Sequence, residues 1–255
     1  VAGINEWVRL PSNWINDRGL ISLTWENGGK GADHIAALMA LTVIAHAADS
    51  ETGVARVTYD YLCALTGLSR AKVSKGLDAL ESIKVIEREP DGARSTYKLA
   101  DYDVSTGWAK LPLKSMYSSG TIAAFMDFRL RRVAELDALK LFFLIVARRN
   151  RTTNITNIGY DKIEEYTNIR RVRIKTAISF LASLSLVHVE RIPSSESPHG
   201  ISNAYRVVGL EPYNHMGTRG RALDSVDFEA SGKVPAATGS SEQPVAPGLR
   251  PFFGR

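Results

Sequence analysis

Tyr59-Asp-Tyr-Leu-Cys-Ala-Leu-Thr-Gly-Leu-Ser-Arg-Ala-Lys-Val-Ser-Lys75 and Tyr160-Asp-Lys-Ile-Glu-Glu-Tyr-Thr-Asn-Ile-Arg-Arg-Val-Arg-Ile-Lys175 are one phrase written twice, 101 residues apart. In the first copy Thr58 is an N-cap, and Asp60 sits in the first turn, where the helix dipole favours a negative charge. That opens a short helix through Leu65. Thr66-Gly-Leu-Ser69 is a turn, and Ser69 caps a second helix, Arg70 to Ser82, whose Val73, Leu77 and Leu80 recur as one inward stripe. The second copy gives a helix over Tyr160–Tyr166, a turn at Thr167-Asn-Ile-Arg170 and a helix over Arg171–Ser183.

Outward from this phrase the same offset holds. Trp7-Val-Arg-Leu-Pro11 falls on Trp108-Ala-Lys-Leu-Pro112, Ile44 on Ile145, and Leu80 on Leu181. Only after Ile86 does the register break, and Tyr97-Lys98-Leu99 then matches Tyr205-Arg206-Val207 at an offset of 108. A shared apolar frame over roughly eighty residues marks two copies of one module. Upstream of each phrase lies a helix, His34–Ala48 or Ala134–Arg149; the first is apolar nearly all round, as a scaffold helix buried on several sides must be. Short strands follow at Val54–Val57 and Asn154–Ile158. Downstream, Val85–Arg88 and Thr96–Leu99 bracket the turn Glu89–Arg94, and Val187–Ile192 and Ala204–Val208 bracket a longer loop, Pro193–Ser202.

Helix, strand, helix, tight turn, helix, hairpin is the order of a winged helix, a variant of helix-turn-helix. The expected fold is therefore mainly α with small β-hairpins (α+β): two tandem winged-helix domains, 1–103 and 104–213, related by internal duplication. Residues 214–255 hold four of the ten prolines and six of the twenty glycines, and read as a disordered tail. Phe252 and Phe253 near its end are an expected docking point for a protein partner.

The third helix of such a module enters a DNA major groove, so its outward face needs donors for phosphates and base edges. Arg70, Lys72 and Lys75 in the first copy, and Arg170, Arg171, Arg173 and Lys175 in the second, occupy windows without an acid. They supply seven positive charges in a chain whose net charge is +5. Ser69, Ser74 and Thr176 add hydroxyls. Arg94 and Lys98 in the first wing, and His199 and Arg206 in the second, are placed to follow the backbone. Binding of a polyanion is dominated by counterion release, and double-stranded DNA is the expected partner.

Other function classes are disfavoured. With 255 residues, 44% of them apolar, the chain can bury a core. Its single cysteine, Cys63, excludes a disulfide framework. The longest apolar run, Leu141–Ala147, is too short to span a bilayer. Val1–Trp7 lacks a signal-peptide pattern, and a cytoplasmic chain with no membrane partner is expected. Gly28-Gly-Lys-Gly31 lacks phosphate-loop spacing and reads as a flexible linker. The five histidines show no metal-ligand clustering. Tyr59, Tyr160, Trp7 and Trp108 read as packing residues. Neither catalysis nor a cofactor or metal is expected.

With its two basic third helices, the span 7–210 resembles the replication initiators of plasmids and phages, carried by the two phrases quoted above. In that group two winged-helix modules of one chain grip repeated sites at an origin. The resemblance implies a replication initiation or maintenance factor of a plasmid, phage or other mobile element, associated with the nucleoid or a plasmid in a bacterial cytoplasm. Transcription regulators share the helix-turn-helix wording and stand as the alternative. A module that uses its winged helices for protein contacts is the second alternative, and a homodimer stays open.

Overall fold

Local chemistry sets the helix boundaries. The Thr58 hydroxyl accepts a hydrogen bond from the Tyr61 amide at 3.1 Å and opens a helix, and Ser69 accepts from the Lys72 amide at 3.4 Å to open the next. Gly67 stops the first of these at φ 69°, a left-handed conformation that glycine adopts without strain. Asn168 does the same in the second half at φ 55°. The hydroxyls of Thr66 and Thr167 each donate back to the carbonyl four residues earlier, on Leu62 and Ile163, and accept from the amide two residues on.

The computed structural model describes residues 5–26, 28–91, 94–193 and 201–210, all within one packed unit. It is mixed α+β: among the described residues there are seven α-helices and four small antiparallel sheets. The first half runs β1 (Trp7–Pro11), α1 (Asn13–Asn16), a 3-10 turn at Gly19–Ser22, α2 (Lys30–Ala47), β2 (Val54–Val57), α3 (Tyr59–Thr66), α4 (Arg70–Ser82), β3 (Ile86–Asp91) and β4 (Arg94–Leu99). The second runs β5 (Trp108–Pro112), a short hairpin of β6 (Tyr117–Ser118) and β7 (Thr121–Ile122), α5 (Val133–Arg148), β8 (Ile155–Asn157), α6 (Tyr160–Thr167), α7 (Arg171–Ser183), β9 (Val187–Pro193) and β10 (Ile201–Val207). The sheets are ordered β2-β4-β3 and β8-β10-β9, so each hairpin lays its last strand in the middle. Tyr97 and Tyr205, on those middle strands, are fully buried.

One apolar core runs along α2 and α5, which pack on each other and are buried from Ile35 to Ala45 and from Glu135 to Val146. The α2–α4 approach is close enough to require a glycine. A Cβ on Gly76 would lie 2.8 Å from the backbone of Ala36 and Ala37. Ala177, the equivalent residue of α7, keeps its methyl and is fully buried.

The halves interlock. Strands β1 and β5 pair antiparallel, with Trp7 opposite Pro112, Arg9 opposite Lys110 and Pro11 opposite Trp108. The Gly19–Ser22 turn of the first half packs against α6, and β7 of the second packs against α3. His46, near the end of α2, reaches the second half. Its Nε2 donates to the Pro112 carbonyl at 2.9 Å, and its Nδ1 therefore accepts from the Tyr117 hydroxyl at 3.2 Å.

Some expectations need correction. Helix α2 begins at Lys30 rather than His34, and the glycine-rich stretch before it is not a linker. Gly28 and Gly29 make a turn at φ 91° and 93°, and Gly31 lies in the first helical turn beneath the Trp25 ring, 2.3 Å from where a Cβ would stand. The first hairpin's strands are longer than their apolar patterns, because ladder hydrogen bonds carry them past the last buried side chain. The tail 214–255 with Phe252 and Phe253, and the wing residues 194–200 with His199, lie outside the described residues.

Candidate nucleic-acid interface

Helices α4 and α7 each bury one stripe against the scaffold helix and turn the opposite face outward. Val73, Gly76, Leu77 and Leu80 are the buried side of α4, and Ile174, Ala177, Ile178 and Leu181 that of α7. The exposed side of α7 carries Arg171, Val172, Lys175, Thr176 and Ser179, with Arg170 at the N-cap. The exposed side of α4 is thinner: Arg70, Ala71, Lys75 and Asp78, with Ser74 half-buried.

The basic side chains fall into three classes. Arg70 donates from Nε and a terminal nitrogen to Asp60 Oδ1, at 3.2 and 2.7 Å, and Arg171 pairs with Asp161 through one terminal nitrogen. Both pairs are solvent-exposed, so each contributes little to stability and exchanges readily for another anion. Lys72 and Arg173 turn inward instead. Lys72 Nζ donates to Asp33 at the start of α2, at 2.7 Å. Arg173 Nε stands 3.1 Å from Asp137 Oδ2 of α5, a charge contact without hydrogen-bond alignment. These two tie the outer helix to its scaffold helix.

Behind Arg173 lies a buried charge cluster. Lys140 is 4% exposed and its ammonium donates to the Leu23 carbonyl at 2.7 Å. Burial pushes Lys140 down to about 8, against the pull of Asp137. Burial likewise raises the Asp137 carboxyl, opposed by Arg173 and Lys140.

Among the described residues Lys75, Arg170 and Lys175 have no ion-pair partner, and all three are exposed. Ser69 is spent as a cap, and Thr176 is exposed. Lys75 borders an open cleft of about 470 Å³ lined also by Thr24, Glu26, Lys30, Asp33 and His34, so the segment before α2 flanks the outer helix. The wings offer less than their charge suggested. Lys98 stands 3.6 Å from Glu87, and Arg206 makes a forked contact with Glu190 and donates to the Thr153 carbonyl. Arg94 opens β4, and its side chain lies outside the described residues.

Sequence reasoning missed a basic strap. Arg129, Arg131 and Arg132, just before α5, are exposed and without an ion-pair partner among the described residues. The buried carboxylate of Glu135 fixes the strap's backbone by accepting from the amides of all three, at 2.7, 2.8 and 3.0 Å. Phe128 meets Phe180 of α7 edge-on at 5.3 Å and brings the strap alongside that helix. The signal in the sequence was Phe-Arg-Leu-Arg-Arg without an acid; the place of the strap beside α7 was not legible there. Val172 was missed as well. This valine is 82% exposed on the basic face of α7.

Among the described residues no group of His, Cys, Asp and Glu could hold a metal ion, and no helix is long and apolar enough to cross a membrane. No family model matches the chain, and no curated protein matches it.

Proposed function

We infer that this chain is a double-stranded DNA-binding protein in which two winged-helix modules, related by internal duplication, present α4 and α7 to major grooves. One observation carries the reading. The outward face of α7 joins Arg170, Arg171, Lys175 and Thr176 to a rigid strap of three exposed arginines, Arg129, Arg131 and Arg132, which have no ion-pair partner among the described residues; Asp127 is the one exposed acid beside the strap. Folding alone does not require such a surface, because solvated faces ordinarily mix charge signs. Phosphates would replace Asp161 on Arg171 and Asp60 on Arg70 at little cost, since both pairs are exposed. The protein would act by binding, without a chemical step or cofactor.

The resemblance to replication initiators favours a role at a replication origin of a mobile element, in a bacterial cytoplasm; transcription regulation is the other process the same surface would serve. The test is a titration of the full chain against duplex DNA at several salt concentrations. Binding should weaken linearly on a log–log plot, with a slope near −0.9 per phosphate engaged. Absence of binding, or binding indifferent to salt, would remove the DNA reading and leave protein contact.

A further inference from the structure

We propose that the two outer helices read inverted half-sites of one duplex, an imperfect palindrome rather than a direct repeat; this rests on the DNA-binding reading above. The inference comes from how the halves are joined. In the β1–β5 ribbon each residue faces the equivalent of its own mirror position: Trp7 faces Pro112, and Pro11 faces Trp108. The central pair, Arg9 and Lys110, consists of equivalent residues. An exchange of that kind is isologous and is generated by a two-fold rotation. A translation, which relates tandem domains strung along a groove, would pair the strands differently.

Side chains repeat the exchange. Trp7 and Trp108 stack at 5.8 Å with their planes 7° apart. The Arg9 guanidinium lies over Trp108 at 5.3 Å, and the Lys110 ammonium over Trp7 at 4.3 Å. The crossing arms obey it too: residues 19–22 pack on α6, and residues 121–122, at the same offset of 101, pack on α3. The axis that passes between Arg9 and Lys110 therefore exchanges α3 with α6 and α4 with α7. The chain has the internal geometry of a two-fold dimer written into one polypeptide.

Duplex DNA carries two-fold axes perpendicular to its length, and a protein that aligns its own axis with one of them meets two half-sites of opposite orientation. The helices are not identical, so neither are the half-sites. Outward positions change from Ser69 to Arg170, from Ser74 to Lys175 and from Lys75 to Thr176 between the copies. Arginine can fork onto a guanine edge, and α7 has more of it, so the α7 half-site is the more tightly specified one.

The experiment is selection of bound duplexes from a random-sequence pool with the full chain, followed by a stoichiometry measurement on the enriched duplex. The expected result is two half-sites in inverted orientation at a constant spacing, one better defined, with one chain per duplex. Reversing one half-site in place should weaken binding at least about tenfold. An Arg170→Ala, Lys175→Ala double variant should blur the better-defined half-site and leave the other sharp. Direct repeats, a lone half-site, two chains per duplex or two duplexes per chain would each overturn the inference while leaving DNA binding intact. Failure to enrich or bind any duplex would overturn the DNA-binding reading with it.

Discussion

The two halves share the boundaries of their three main helix pairs to within two residues and differ in sign of charge. Residues 5–103 hold 14 Asp and Glu against 11 Lys and Arg; residues 104–210 hold 8 against 16. Helices α3 and α6, and α4 and α7, begin and end at positions 101 apart. Buried apolar positions and backbone caps set those boundaries, and neither depends on what the solvent face carries. The surface was free to diverge, and it did so by about eleven charges between halves. On the DNA-binding reading, the second half supplies most of the affinity and the first mainly supplies geometry.

The largest expected effect concerns a joint present in one direction only. His46 links α2 to Pro112 and Tyr117, whereas its equivalent is Ala147. Burial pushes the His46 imidazole down to about 4, outweighing the Pro112 carbonyl, which acts the other way. An unfolded histidine takes up its proton near pH 6.5, so the stability tied to a neutral His46 is complete above that pH and drains as pH falls to about 4. That loss amounts to about 3 kcal/mol, and chemical denaturation of the parent and of His46→Gln across this range should show it only in the parent. Parallel acid limbs would place the joint elsewhere.

Next comes the lopsided grip. Replacing Arg129, Arg131 and Arg132 by Ala together should weaken duplex binding about 100-fold and lower the salt slope by about 3. The double variant Lys30→Ala, Lys75→Ala should cost no more than about tenfold, because of the two only Lys75 lies on the outer helix α4. Equal losses in titrations of the two variants would erase the contrast between halves.

Packing gives a smaller, reciprocal test. Gly76→Ala drives a methyl into the backbone of α2 and should cost about 1–3 kcal/mol through overpacking, whereas Ala177→Gly at the matched position should cost about 1–2 kcal/mol through helix propensity and the loss of a buried methyl. Thermal melts of both would show whether the two scaffold contacts differ as drawn. The smallest effect is expected at the exposed acids. Asp60→Asn and Asp161→Asn should each shift stability by no more than about 0.5 kcal/mol. The same substitutions should tighten DNA binding by freeing Arg70 and Arg171, and weaker binding would argue that the acids orient the arginines instead.

Sequence by itself determined what neighbours in the chain decide. The bounds of α4 and α7, the caps at Thr58 and Ser69 and the turn at Gly67 follow from side chains within four residues of one another, and periodic apolar residues mark which face goes inward. Interactions between distant segments required the fold. Five-residue strands such as Trp7–Pro11 have no local signature, since their hydrogen-bond partners lie about a hundred residues away in Trp108–Pro112. Arg70 and Lys72 are alike in sequence, yet one meets Asp60 on the surface and the other Asp33 on the scaffold helix, because successive helical positions point in different directions. The strap at Arg129–Arg132 became part of the α7 surface only through Glu135 and Phe128, and the two-fold axis only through the pairing of two leaders. Repetition in a sequence points to related segments; only contacts between them fix the operation that relates them.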